Sequence, residues 1–263
     1  MADWSNIHEM AVQWVKEAGV KIINSFESIL DINTKSNVSD LVTNMDMEIE
    51  QFFKEKISEH FPTHQILGEE GSGHDLQSLD GVVWIIDPID GTMNFVHQQR
   101  NFAISIGIIE DGIGKIGLIY DVVHDELYHC IKGKGAFLND SEIPKIKEVP
   151  LPESIIGLNP IWLTDNKKID KNLTGRLVKD IRGTRSYGSA ALEIAYVATG
   201  RMNAYISMRL APWDFAGGAV IIEELGGKVT DLQGNPIHYL RKSSFLVASP
   251  ALHGVILEQY LSS

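Results

Sequence analysis

Cysteine is nearly absent: the 263-residue chain has one, Cys130. A disulfide framework needs pairs, so none staples this fold, and a reducing compartment suits the chain. Positive charge is also scarce. Lys and Arg number 23 against 35 Asp and Glu, a formal net charge of −12. That balance argues against broad phosphate neutralisation of nucleic acid and against docking on anionic lipid. It leaves small phosphorylated molecules open only where something local reverses the sign. Long apolar runs are missing as well, and none approaches the roughly 18 residues of a membrane span. The opening MADWSNIHEM has neither a basic n-region nor an apolar h-region, which reads as a cytoplasmic chain without a secretory signal. Internal repeats and low-complexity tracts are absent too. With 44% hydrophobic residues the chain can bury an ordinary core in one or two domains.

What is present falls into two textures. Ile7, Met10, Ala11, Trp14, Ala18 and Ile22 recur at three- and four-residue steps, which predicts a helix from Trp4 to about Leu30. A second amphipathic helix is expected from about Leu41 to His60, stopped by Phe61-Pro62. QILGEE then reads as a short strand, and the apolar run Val82–Ile86 as a strand buried on both faces. FAISIGIIE, KIGLIYDVV and ELYHCI follow as strands, the first two joined at Asp111-Gly112, so this part reads as an antiparallel sheet. Beyond the proline-rich stretch Pro144–Pro152 strands and helices alternate. Helices are expected over 166–181, over SAALEIAYVATG, over DFAGGAVIIEELGG and from Pro250 onward, with strands at IIGL, NAYISM and FLVAS. The boundary between the textures falls near 140–150.

The richest segment is WIIDPIDGTMNF, residues 84–95. Asp87 and Asp90 end a buried strand three residues apart, where they repel unless a cation lies between them. Hard carboxylate oxygens suit Mg²⁺. Gly91-Thr92 can open a short helix whose free N–H groups face an anion. Three further segments are ambiguous alone. Glu69-Glu70 in LGEEGSG also reads as a solvated loop, and Asp214 in APWDFAGG as an N-cap. Asp46, three residues after Thr43, matches a capping box. Gly112-Ile113-Gly114-Lys115-Ile116-Gly117 matches a dinucleotide fingerprint in letters, but it opens no helix. His124 and His129 flank DELY without metal-ligand spacing.

Together, GEE, WIIDPIDGTMNF and WDFAGG, in this order and spacing, resemble the inositol monophosphatase family, part of the lithium-sensitive, Mg²⁺-dependent sugar-phosphatase superfamily. The resemblance extends over nearly the whole chain, through Lys35, KGKGAFLN and RSYGSAAL. It implies a layered α-β-α-β-α sandwich. An N-terminal α+β domain, 1–145, would carry most metal ligands, and a C-terminal α/β domain, 146–263, would carry Asp214 and the alcohol-binding side. It further implies a cytoplasmic homodimer holding two to three Mg²⁺ ions.

By the same resemblance, Glu69, Asp87 and the Ile89 carbonyl would hold one ion, and Asp87, Asp90 and Asp214 another. Thr92 and Asp46 would orient and deprotonate the attacking water, with Glu70 behind the ligands and Lys35 on a flap. Gly91 and Thr92 would bind phosphate; Asp90, Gly188, Ser189 and Ala190 would face the alcohol. The expected reaction hydrolyses inositol 1-phosphate to inositol and phosphate. One position departs from the inositol-selective pattern: Ser207 stands where those members carry Glu, with Arg209 two residues on. Arg209 admits a substrate with a second anionic group, so a broader fructose-1,6-bisphosphatase or NADP phosphatase is the alternative, unless it is simply a solvated charge. A reading of another class, a partner of the transcription machinery, rests on Lys179, Arg182 and Arg185, which surface solvation explains more simply.

Overall fold

The structure is a computed structural model, and it describes residues 2–26, 32–34 and 41–261. Helix α1 (Trp4–Ser25) is capped by Asp3, whose carboxylate accepts the N–H groups of Ser5 and Asn6 at 3.2 Å. It ends at Ser25 rather than near Leu30; residues 27–31 lie outside the described residues. Strands β1 (Ile32–Thr34) and β2 (Leu41–Thr43) pair antiparallel. Helix α2 therefore runs over Asn44–His60 and not from Leu41, because Thr43 leaves the strand as its N-cap.

The larger sheet has seven strands. They are β3 (Gln65–Gly68), β4 (Val82–Asp90), β5 (Ala103–Glu110), β6 (Ile113–Asp121), β7 (Glu126–Ile131), β8 (Ala136–Leu138) and β9 (Ser141–Glu142), in that order across the sheet. Only β3 and β4 pair in parallel. Helix α3 (Thr92–Gln98) lies between β4 and β5. The β5–β6 turn places Asp111 and Gly112 at φ 50° and 79°, the geometry of a two-residue hairpin. The dinucleotide-like glycines thus sit in a hairpin and open no helix.

The smaller sheet comprises β10 (Ile155–Leu158), β11 (Gly183–Arg185), β12 (Ala204–Leu210), β13 (Lys228–Thr230) and β14 (Ser243–Ala248), ordered β11-β10-β12-β14-β13. Its β10 is parallel to β11 and β12, and β14 is antiparallel to β12 and β13. Three-residue β11 and β13 carry too few alternations to be read from sequence. Helix α4 spans only Lys171–Asp180 of the expected 166–181, because Asp170 caps it through the Asn172 N–H at 2.9 Å. Helices α5 (Ala190–Ala198), α6 (Pro212–Glu224) and α7 (Pro250–Ile256) follow, the last continuing into a π-helical turn at Leu257–Leu261.

Side-chain alternation sorts these elements into the expected five layers. Trp84 and Ile86 of β4 pack with Trp14 of α1 and Phe53 of α2 on one face. Val83 and Ile85 point the other way, into a core shared with α5, α6 and the inner face of the smaller sheet. The outer face of that sheet, Ile156, Ile206 and Leu246, is covered by Leu177 of α4 and Leu252 of α7. Helix α6 approaches the larger sheet closely. A Cβ on Gly107 would stand 2.6 Å from the Ala216 Cβ, and one on Gly217 would stand 2.7 Å from the Ile106 carbonyl oxygen. Glycine on both surfaces removes that conflict and lets the start of α6 reach the end of β4.

Candidate metal centre

Strand β4 delivers the first two carboxylates. Its pairing with β5 shifts register between Asp87 and Asp90, around Pro88, and such a bulge re-aims side chains. Asp87 and Asp90 are both buried. The chain then turns through Gly91 at φ 96°, where a Cβ would crowd the Asn101 and Gly188 carbonyl oxygens at 3.2 Å. Thr92 begins α3, as the sequence suggested.

Asp214 arrives from α6, but not as an N-cap. Pro212 takes the first helical position and Ala211 is the cap residue, so Asp214 sits in the first turn and accepts the Ala211 N–H at 2.8 Å. Asp87, Asp90 and Asp214 each place a carboxylate oxygen within 4.8 Å of the other two. Glu69 follows β3 and stands at the edge of this group, in hydrogen-bond contact with Asp87. Burial and then the Glu69, Asp90 and Asp214 charges push the Asp87 carboxyl well above its ordinary range. Burial also raises Asp90, to about 6, against the hydrogen bonds that hold its charge. Asp214 is raised by burial and then by Asp90. Buried carboxylates packed this tightly bind protons unless a cation lies among them, and an all-oxygen donor set suits a hard divalent ion. The residues present fit Mg²⁺.

The carboxylates of Asp87 and Asp90 and the Ile89 carbonyl are held from behind. Asp90 Oδ2 accepts the Ser189 hydroxyl at 2.5 Å and the Ala191 N–H at 2.7 Å. Asp87 Oδ1 accepts the Ile89 N–H at 3.1 Å. The Ile89 carbonyl accepts the Thr92 hydroxyl at 3.1 Å and keeps a second lone pair. Asp46 makes two contacts at once. Its Oδ2 accepts Thr43 N–H at 2.8 Å, closing the capping box, while its Oδ1 faces the Thr92 hydroxyl at 3.2 Å.

The residues expected on the alcohol side also converge. Gly188, Ser189, Ala190, Ser207 and Arg209 line one pocket of about 240 Å³ with Asp90 and Asp214. Ser207 donates its hydroxyl to the Arg209 carbonyl at 3.1 Å, within an irregularity of the β12–β14 pairing, and Arg209 is exposed. Ser189 also caps α5 through the Leu192 N–H. Lys35 lies outside the described residues. Arg182 and Arg185 stay apart from the site, Arg182 4.0 Å from Glu153 and Arg185 donating to the Thr184 carbonyl. His124 pairs with Asp121 and His129 with His8.

Three supporting residues escaped the sequence reading. Asn94 donates to the carbonyls of Asn101 and Tyr187 at 2.7 Å and so ties α3 to the segment before α5. Glu193 accepts the Tyr187 and Gly188 N–H groups. Its other oxygen is buried without a partner, and burial raises its carboxyl to about 7. Glu50 accepts N–H groups of the loop after Glu69. Of these, only Glu50 left a trace in sequence, standing one helical turn after Asp46 among apolar neighbours.

The family model described as the inositol monophosphatase family matches residues 3–262. The inositol-1-monophosphatase of Bacillus subtilis (strain 168) is 57% identical over 261 residues, covering 99% of this chain and 98% of its own. A crystal structure of inositol-monophosphate-bound SaIMPase-II is similar at a TM-score of 0.88 and 44% identity, covering 97% of this chain and 93% of its own. A crystal structure of an IMPase/NADP phosphatase complexed with Mg²⁺ and phosphate reaches a TM-score of 0.92 at 29% identity, covering 100% of this chain and 97% of its own.

Proposed function

The chain belongs to the inositol monophosphatase family, and from that premise we propose that it hydrolyses inositol 1-phosphate to inositol and phosphate in a Mg²⁺-dependent reaction. The observation that carries the metal dependence is the buried Asp87, Asp90 and Asp214 cluster, with carboxylate oxygens within 4.8 Å of one another.

We assign Glu69, Asp87 and the Ile89 carbonyl to one Mg²⁺, and Asp87, Asp90 and Asp214 to a second; a third, weaker ion near Glu69 belongs to the same reading. Bound Mg²⁺ supplies the positive charge that phosphate requires and lowers the pKa of water. The one hydroxyl hydrogen of Thr92 has two acceptors in reach, the Ile89 carbonyl and Asp46; turned toward Asp46, it leaves the oxygen lone pairs to accept a proton from the attacking water. Asp46 is fully buried and pinned by Thr43, so the pair is oriented before substrate arrives. Gly91 and Thr92 offer backbone N–H groups to the phosphate. Water attacks phosphorus, the phosphorus–oxygen bond to the alcohol breaks, and the alcohol leaves with a proton.

Arg209 favours a second reading of the substrate range. It lines the same pocket as Asp90 and Asp214, where its guanidinium can pair with a second phosphate on the leaving alcohol. Sugar bisphosphates and NADP⁺ are the substrates this reading adds. Homodimerisation, lithium sensitivity and a cytoplasmic location are proposed on family membership alone. Among the described residues no helix is long and apolar enough to cross a membrane. A panel of inositol 1-phosphate, fructose 1,6-bisphosphate, NADP⁺ and 3′-phosphoadenosine 5′-phosphate at fixed Mg²⁺ tests the reading. Release of phosphate from none of the four would overturn it.

A further inference from the structure

Helix α2 carries two buried carboxylates one turn apart, Asp46 and Glu50. Asp46 serves the Thr92 side of the site. Glu50 reaches the other side, where its Oε2 accepts the Glu70 N–H at 2.6 Å and its Oε1 the Ser72 N–H at 3.0 Å. Both oxygens face backbone N–H groups of the loop, and Glu50 stands outside the Asp87, Asp90 and Asp214 cluster, so it acts on the site through the loop. The contact is also close in space. A Cβ on Gly68 would collide with the Glu50 carboxylate, so the backbone on both sides of Glu69 is pressed against or bonded to this one group.

The same loop is fixed from a second direction. His74 hydrogen-bonds the Gly68 carbonyl at 2.8 Å and stacks on Trp213, with ring planes 7° apart. Trp213 immediately precedes Asp214. The loop bearing Glu69 is therefore suspended between α2 and the start of α6. A buried carboxylate so near Glu69 adds negative charge where four other carboxylates already gather. Core stability alone disfavours that placement. Two N–H donors separated by Gly71, at φ 121°, call for a group with two acceptor oxygens, and a carboxylate supplies both.

We infer that Glu50 is a positioning residue for the metal centre: it holds the 68–72 loop so that Glu69 meets Asp87, and thereby sets the affinity for Mg²⁺. This rests on the metal reading above. Removal of partners that orient a ligand costs about 10–100-fold in metal affinity.

The test titrates Mg²⁺ into the full-length, EDTA-stripped chain by calorimetry for wild type, Glu50→Ala, Glu50→Gln and Gly68→Ala. It is paired with the Mg²⁺ dependence of inositol 1-phosphate hydrolysis and with metal-free melting. Glu50→Ala should weaken Mg²⁺ binding about tenfold or more. Glu50→Gln, which keeps one acceptor oxygen, should fall between. Gly68→Ala displaces the same carboxylate from the other side and should reproduce the Glu50→Ala shift, which covers the case in which Glu50→Ala fails to fold. Half-saturating Mg²⁺ should rise more than the rate at saturating Mg²⁺ falls. Mg²⁺ binding within about twofold of wild type in Gly68→Ala and in the folded Glu50 variants, set against the tenfold expected, would overturn this inference alone, even with a lower melting point. A wild-type chain that binds no Mg²⁺ would overturn the metal reading and this inference with it.

Discussion

Replacing Asp90 by Asn should make the metal-free protein more stable while destroying its activity. Asp90 is 8% exposed and titrates at about 6 against an ordinary 3.8. Where both folded and unfolded states would be ionised, above about pH 6, that difference costs the fold about 3 kcal/mol. Coulomb repulsion gives a similar scale: two charges within 4.8 Å of each other repel by about 3 kcal/mol or more at an effective dielectric constant near 20. The folded value lies above the unfolded one, so the penalty is full above about pH 6 and is gone below about pH 4. Asn keeps an amide oxygen to accept from Ser189 and Ala191, so the scaffold bonds survive. The assay is thermal melting in EDTA at several pH values. At pH 7.5 the variant should melt about 6 °C or more above wild type, and the gap should close toward pH 4. With saturating Mg²⁺ the wild type should recover the larger share of the difference, because it binds the ion more tightly. Equal midpoints at pH 7.5 in EDTA, or a gap that persists unchanged at low pH, would refute the buried-charge argument.

The other expectations concern function more directly. Asp87→Asn should abolish phosphate release at every Mg²⁺ concentration, since Asp87 is assigned to both ions; turnover near wild type would remove the two-ion assignment. Thr92→Val should lower kcat by about 10²-fold or more with a smaller change in half-saturating Mg²⁺, because it removes the hydroxyl facing Asp46 without touching a carboxylate. Arg209→Ala should reduce hydrolysis of fructose 1,6-bisphosphate or NADP⁺ about tenfold more than that of inositol 1-phosphate, the scale of one charge-assisted hydrogen bond. Equal losses on all three substrates would return Arg209 to the role of a solvated surface charge.

Much of the site was legible because it lies in continuous segments. WIIDPIDGTMNF places a buried strand, two carboxylates and a helix start within twelve residues, and local rules relate such neighbours. Strand periodicity likewise exposed the antiparallel β5–β6–β7 meander. Single-residue roles were harder. Asp46 read as a cap or as a catalytic partner, and the structure shows one oxygen in each contact. Asp214 read as an N-cap because Asp often precedes an apolar helix. Pro212 opens the helix so that the N-cap falls three residues earlier, at Ala211, and the carboxylate meets those of β4.

Element order, the separation into two textures and the chemical character of the candidate ligands can be read from the letters alone, because these depend on periodicity and side-chain type. The meeting of Asp87 and Asp90 with Asp214, which stands more than a hundred positions later, is a product of the packed fold. That meeting depends on the glycine contact between α6 and the larger sheet. Nor could periodicity show that Glu50, Asn94 and Glu193 bond to the segments around the site. Their partners are backbone N–H and carbonyl groups of distant loops. Every residue type but proline carries both groups, so nothing in the letters marks the ones that will be met.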